Sequence, residues 1–146
     1  MPKFWKLSQG PDYFSVSDII ESIEQRLVFI GKDTHALGRS NTSQVEEFIN
    51  ADIGDYFYLT HGTSGIYLLG QFTGPANYIS ERDGWIDRPF RLIKPSNDTS
   101  KINGSDKWWM PNHNSTFCVV KEDELNDFEN LILTPYFELS LSDFNL

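Results

Sequence analysis

The sequence has almost no cysteine. Cys118 stands alone in 146 residues, so no internal disulfide can form, and a reducing compartment, the cytoplasm, is expected. Cys118 sits in Phe117-Cys118-Val119-Val120 and reads as a small core hydrophobe. A secretory h-region is missing, and no apolar run approaches the ~20 residues of a membrane span. No membrane partner is therefore expected, and sequons such as Asn114-Ser115-Thr116 read as chance matches. Glycine loops of the nucleotide-binding kinds, His-Glu-x-x-His and paired Cys-x-x-Cys are absent too, so no cofactor or metal is expected. His35, His61 and His113 are isolated in polar segments and read as solvated loop histidines. Ser64, in Gly62-Thr63-Ser64-Gly65, belongs to a hairpin turn and not to a nucleophile elbow. Asp83 and Asp87 read as solvated loop carboxylates. Nothing here points to an enzyme.

Positive charge is scarce as well. Lys and Arg number 12 against 21 Asp and Glu, a net charge of −9, which opposes nonspecific adhesion to nucleic acid. The excess is uneven. Residues 1–115 hold 11 basic and 14 acidic side chains, whereas residues 116–146 hold 1 and 7. The nearly balanced first part can still present a basic face.

What is plentiful is aromatic and apolar. Hydrophobic residues make up 39% of the chain, with 11 Phe, 6 Tyr and 4 Trp. That suffices for one core in one domain, here spanning 1–146, with the core at about 3–121 and a C-terminal helix and tail at 122–146. Phe4 to Ser8 alternates and reads as a strand. Ser15 and Ser17 are candidate caps for a helix carrying Ile19, Ile20, Ile23 and Leu27 at helical spacing, ending near Gln25. Leu27-Val28-Phe29-Ile30 is dense enough for a buried strand, and residues 31–42 form a polar loop. Ser43 followed by Glu46 predicts a second helix start, with Val45, Phe48 and Ile49 as its stripe. Tyr56–Thr60 and Ile66–Phe72 flank a glycine-containing hairpin turn. Phe90–Lys94 reads as a further strand, 95–107 as a long loop, and Thr116–Lys121 as a short last strand. Leu125, Phe128, Leu131 and Ile132 mark the inward side of a final helix. The apolar tail either docks on the core or marks a domain cut from a longer chain. The order predicts an α+β fold, a curved mixed sheet or small barrel flanked by helices.

Two tryptophan segments stand out. Trp85 in Asp83-Gly84-Trp85-Ile86-Asp87-Arg88 and the pair Trp108-Trp109 both interrupt segments that otherwise read as exposed loops. A flat base can stack on such rings, worth ~1–3 kcal/mol per base. Arg82, Arg88, Arg91, Lys94, Lys101 and Lys107 lie near them in sequence and are candidate phosphate contacts. The competing reading makes these tryptophans lids over the core, and one of an adjacent pair often faces inward. Trp5, on a strand, reads as core.

The order of segments resembles the PUA-like superfamily, especially its EVE and YTH branches. The resemblance rests on Phe4-Trp5-Lys6-Leu7-Ser8 before a helix, a strand ending in Ile30-Gly31, the turn Ile53-Gly54-Asp55, the hairpin through Leu69-Gly70-Gln71-Phe72-Thr73-Gly74, and Trp85 followed by Phe90-Arg91-Leu92-Ile93-Lys94. It implies a barrel-like sheet whose pocket takes one flipped, modified base. Trp85 matches the loop tryptophan of the YTH cage. Ile30-Gly31-Lys32 stands where that branch has another cage tryptophan, which counts against a strict methyladenine cage. Trp108 or Trp109 is a possible substitute, and Ser8, Gly31, Lys32 and Asp33 fall where a base edge would be met. The family also implies a targeting module of McrBC-type modification-dependent restriction systems, acting with a C-terminal motor outside this chain. The expected ligand is then nucleic acid, modified DNA ahead of RNA. The alternatives are an RNA-binding or RNA-modification accessory domain, or a protein-interaction domain using the acidic C-terminal segment.

Overall fold

The computed structural model describes residues 2–34, 43–99 and 104–146; His35 and Lys101 lie outside them. Six strands form one curled sheet: β1 (Phe4–Ser8), β2 (Leu27–Gly31), β3 (Tyr56–Thr60), β4 (Ile66–Phe72), β5 (Trp85–Pro95) and β6 (Phe117–Val119), in the order β2-β5-β4-β3-β1-β6. β1 and β3 run parallel, and every other pairing is antiparallel. The α+β curved mixed sheet expected from the sequence is the one that forms.

Both faces of the sheet are covered, so its strands are apolar on both sides. Trp5, Leu7, Phe57, Leu59, Phe72, Phe90 and Phe117 fill one side. Phe4, Tyr58 and Leu69 face the other way, onto Trp109 and the C-terminal helices. Gly70 is fixed by this packing: a Cβ there would stand 2.7 Å from the Phe57 ring and 2.9 Å from that of Phe90.

Helix α1 (Val16–Gln25) starts at Ser15, not Ser17, with a reciprocal capping box to Asp18, and stops at Arg26 in the left-handed conformation. Helix α2 (Gln44–Asn50) starts at Ser43, whose hydroxyl accepts from the Glu46 amide. It touches both β2 and β6, the two edges of the sheet. The Gln44 side-chain oxygen accepts from the backbone amides of Thr116 (2.7 Å) and Phe117 (2.9 Å) beside β6.

β5 departs from expectation. It begins at Trp85, five residues before the strand read from the sequence, and serves two partners. Trp85–Pro89 pairs with β2, and Phe90–Pro95 pairs with β4. Asp87, Arg88 and Pro89 look like loop in sequence, yet all three lie on this strand. Pro89 sits where the strand changes partner. It has no amide to donate, and its carbonyl accepts from Thr73. β6 is also shorter than the expected 116–121.

The tail docks on the core. A 3-10 turn (Glu122–Glu124), α3 (Leu125–Phe128), a π-helical turn (Glu129–Leu133) and α4 (Thr134–Phe137) bury Phe128, Ile132, Leu133, Tyr136 and Phe137. Phe144 then sets its ring edge against Phe4 at 5.1 Å and Tyr56 at 4.8 Å.

Asp55 ties the start of the sheet together. One carboxylate oxygen accepts from the Lys3 amide (2.9 Å); the other accepts from the Trp5 indole (3.0 Å) and the Asp52 amide (3.1 Å). Trp5 is core as expected, stacked on Phe117 at 4.4 Å. Asp55→Ala leaves these donors without an acceptor. It is expected to lower unfolding free energy by about 3 kcal/mol in urea titrations, while Asp52→Ala, at an exposed side chain, stays within ~0.5 kcal/mol.

Candidate nucleic-acid interface

The ends of β1 and β2, the β3–β4 turn, the start of β5 and the segment before β6 meet at a cleft of about 540 Å³. Ser8, Gly31, Lys32, Asp33 and Trp85, picked from the sequence on separate elements, all line it. Its volume lies within the ~300–1,000 Å³ of small-molecule sites.

Trp85 is half-buried at this cleft and stands opposite Gly31 in the β2–β5 register. A Cβ on Gly31 would lie 3.6 Å from the indole, so the bare glycine leaves that part of the ring uncovered. The indole is braced elsewhere. Phe14 meets it edge-on at 4.9 Å and Tyr13 at 5.6 Å, and the Arg82 guanidinium lies 5.1 Å from its centre. Tyr13 and Phe14 line the cleft but were missed in the sequence. Their signal was the one that marked Trp85, adjacent aromatics in a polar turn, here Gly10-Pro11-Asp12-Tyr13-Phe14. Gly62 closes the wall on that side with φ +60°, its α-carbon too close to Pro11 for any side chain.

Several polar groups at the cleft are uncommitted. The Ser8 hydroxyl, the Asp33 carboxylate and the Asn114 amide side chain make no hydrogen bond or ion pair among the described residues. Lys32 at the mouth has no carboxylate partner among them either.

The remaining candidates divide. Trp108 is 51% exposed and packs at 5.0 Å on His113, which lines the cleft, so it flanks the rim without entering it. Trp109 is 1% exposed, its indole donating to Glu124 and its carbonyl accepting from the Tyr58 hydroxyl. That makes it core and not a base contact. Arg88 is likewise no phosphate contact. It is 2% exposed and donates to the carbonyls of Gly74 (2.9 Å) and Phe48 (2.8 Å) over the Phe72 ring. Lys107 is paired with Glu124 at 3.0 Å, Arg91 donates to Gln71, and neither they nor Lys94 lines the cleft. Arg82 is held in the aromatic wall, 4.2 Å over Phe14. The basic residues that are neighbours in sequence are thus scattered in space.

His61 is also not the solvated residue expected. It is buried, and its Nε2 lies 2.6 Å from the Phe14 carbonyl. Asp87 is buried as well, on β5. Cys118 is partly buried, as expected of a small hydrophobe, and burial pushes its thiol up to about 11.

One wall of the cleft hangs on a buried lysine. Lys6 donates to the His113 carbonyl (2.7 Å) and the Ser115 hydroxyl (2.9 Å), and Ser115 donates on to the Trp108 carbonyl. Burial pushes the Lys6 ammonium down from 10.5 to about 8. Between those values the unfolded chain holds the extra proton, so the Lys6 contribution to stability grows as pH rises through that window. The raised Cys118 thiol acts in the opposite sense above the ordinary thiol value. In a Cys118→Ala background, urea unfolding is therefore expected to show stability rising between pH 8 and 9.5 by up to ~1.4 kcal/mol per unit. Adding Lys6→Met should abolish that rise.

No protein-family model matches the sequence, and no curated protein matches it. Among solved structures, the chain is similar to Rpa0253 from Rhodopseudomonas palustris, with 11% identity, 85% of this chain and 88% of that one covered, and a TM-score of 0.54. It is similar to a hypothetical protein from Leishmania major at 13% identity, with 88% and 92% covered and a TM-score of 0.52. The neighbours include an ASCH structure from Zymomonas mobilis, at 10% identity, 88% and 95% coverage and a TM-score of 0.47. Similarity at these identities is one of fold alone.

Proposed function

We propose that this domain binds nucleic acid and takes a single modified base, flipped from its strand, into the cleft beside Trp85. The observation that carries this reading is the convergence of Ser8, Gly31, Lys32, Asp33 and Trp85, from separate elements, on one cleft with an accessible indole and unused polar groups. Extrusion of a base costs a few kcal/mol, least where pairing is already weakened. Stacking on one indole returns ~1–3 kcal/mol, and each hydrogen bond to a base edge adds ~0.5–1.5 kcal/mol. Ser8, Asp33 and Asn114 offer both donors and acceptors for that edge. The balance closes for one base with two or three edge contacts.

The role is recognition, not catalysis. Arg88 is buried and Lys107 is paired to the acidic C-terminal segment, so two of the candidate phosphate contacts are already engaged. Binding should then depend on the pocket more than on charge. The resemblance of the sequence to EVE and YTH domains favours modified DNA, with the domain as the targeting module of a cytoplasmic restriction system that acts through a separate motor. The same cleft suits a modified base in RNA, and 2′-hydroxyl dependence separates the two cases.

The test is binding to matched duplexes carrying methylcytosine, hydroxymethylcytosine, methyladenine or no modification, beside RNA counterparts, at two salt concentrations. One modified duplex is expected to win, with a salt slope shallower than about −3. Trp85→Ala should weaken that binding ~10-fold or more while the amide spectrum stays folded. Equal, weak, steeply salt-dependent binding to every duplex would rule the base pocket out.

A further inference from the structure

Two residues along β5 from Trp85, on the same face of the strand, stands Asp87, opposite Phe29 of β2. Asp87 is 5% exposed, and its carboxylate makes no hydrogen bond or ion pair among the described residues. That carboxylate opens onto a cleft, where a cation seated against it is attracted more strongly than in bulk water. The space that Asp87 faces is a second cleft of about 590 Å³, between α1 and the segment 77–82. Leu27 and Phe29 give it an apolar floor, and Asp18, Glu21 and Glu81 add carboxylates at its lining.

Most of its other charges are already engaged. The Asp18 carboxylate caps α1 at the Ser15 amide, and Glu21 accepts from Gln25. Among the described residues Arg82 is the one basic side chain lining the cleft; it stacks on Phe14, donates to the Tyr13 carbonyl and acts on the Asp18 carboxylate. Asp87 and Glu81 are left without a counter-charge among the described residues. The described carboxylates do not form a group placed to hold a metal ion. Charge beside an apolar floor suits an organic cation better than a bare one.

We propose that this second cleft is a binding site for an organic cation, a primary ammonium or guanidinium on an aliphatic stem, with its charged head at Asp87 and its stem on Leu27 and Phe29. The site adjoins the base cleft, with Phe14 lining both, but does not depend on the base-binding reading. The same chemistry is carried by free diamines and by the lysine or arginine side chain of a protein partner.

The experiment is an amide-shift titration of the whole chain with five compounds: cadaverine, agmatine, blocked lysine and blocked arginine (N-acetyl, N-methylamide), and n-pentanol as the neutral control. Saturable shifts are expected at Phe29, Asn77 and Asp87 with the cations and none with the alcohol. Tighter binding of the blocked amino acids than of the free amines would assign the site to a basic side chain; the reverse order would assign it to a free amine. Asp87→Asn should weaken the best probe at least tenfold, Glu81→Gln should weaken it less, and Glu46→Gln, on α2, should leave it unchanged. The cation should also raise the thermal midpoint of the parent chain and not that of Asp87→Asn. Unsaturable shifts, equal response to the alcohol, or undiminished binding in Asp87→Asn and Glu81→Gln would overturn the proposal. If Asp87→Asn does not fold, the Glu81→Gln and alcohol arms still decide it.

Discussion

The two edges of the sheet, β2 and β6, are held together by one short helix, and most of the molecule follows from that constraint. An edge strand left open presents unpaired amides. Here Gln44 of α2 accepts from two amides beside β6, and Arg88 of β5 donates to the Phe48 carbonyl of the same helix. Arg88 is buried because only from inside can it hold β5 to α2. With the edges fixed, the sheet has to curl, and β5 has to leave β4 for β2 at Pro89. The curl brings the ends of β1 and β2 and the start of β5 to one place, where Trp85 meets the bare backbone of Gly31. The cleft is thus a consequence of closure and not a separate structure.

The charge distribution follows the same economy of contacts. Much of the acidic excess lies in the C-terminal segment, and part of it is neutralised within the fold, at Lys107 and Glu124. The apolar residues of that segment cover Phe4, Tyr58 and Trp109, so the segment completes the core instead of trailing free as an acidic interaction peptide. For the proposed base ligand, selectivity would rest on stacking and edge hydrogen bonds, in which a missing group costs more than a misplaced charge in water.

Local signals in the sequence were legible because they act within a few residues. Ser15 with Asp18 and Ser43 with Glu46 mark helix starts, and Tyr56 to Phe72 reads as a hairpin without any knowledge of its surroundings. Of the cleft residues, Trp85 was legible as an aromatic in a polar segment, while Ser8, Gly31, Lys32 and Asp33, and the meeting of all five, were implied only by the family resemblance. Tertiary effects were not legible. Asp87, Arg88 and Pro89 look like loop because nothing nearby in sequence offers partners, yet β2 and α2 supply them. Trp108 and Trp109 are indistinguishable in sequence, and the Tyr58 hydroxyl and Glu124, far along the chain, decide which one turns inward. His61 reads as solvated until the Phe14 carbonyl is placed beside it.

The most direct test of the account is to locate the base itself. Intermolecular nuclear Overhauser contacts, measured on the complex with the preferred modified oligonucleotide, report which side chains touch the modified base. Contacts are expected from base protons to the Trp85 indole and to Ser8 and Asn114. Base contacts confined to Trp108, or to the Arg91 and Lys94 side of the sheet, with the Trp85 resonances unmoved, would contradict it.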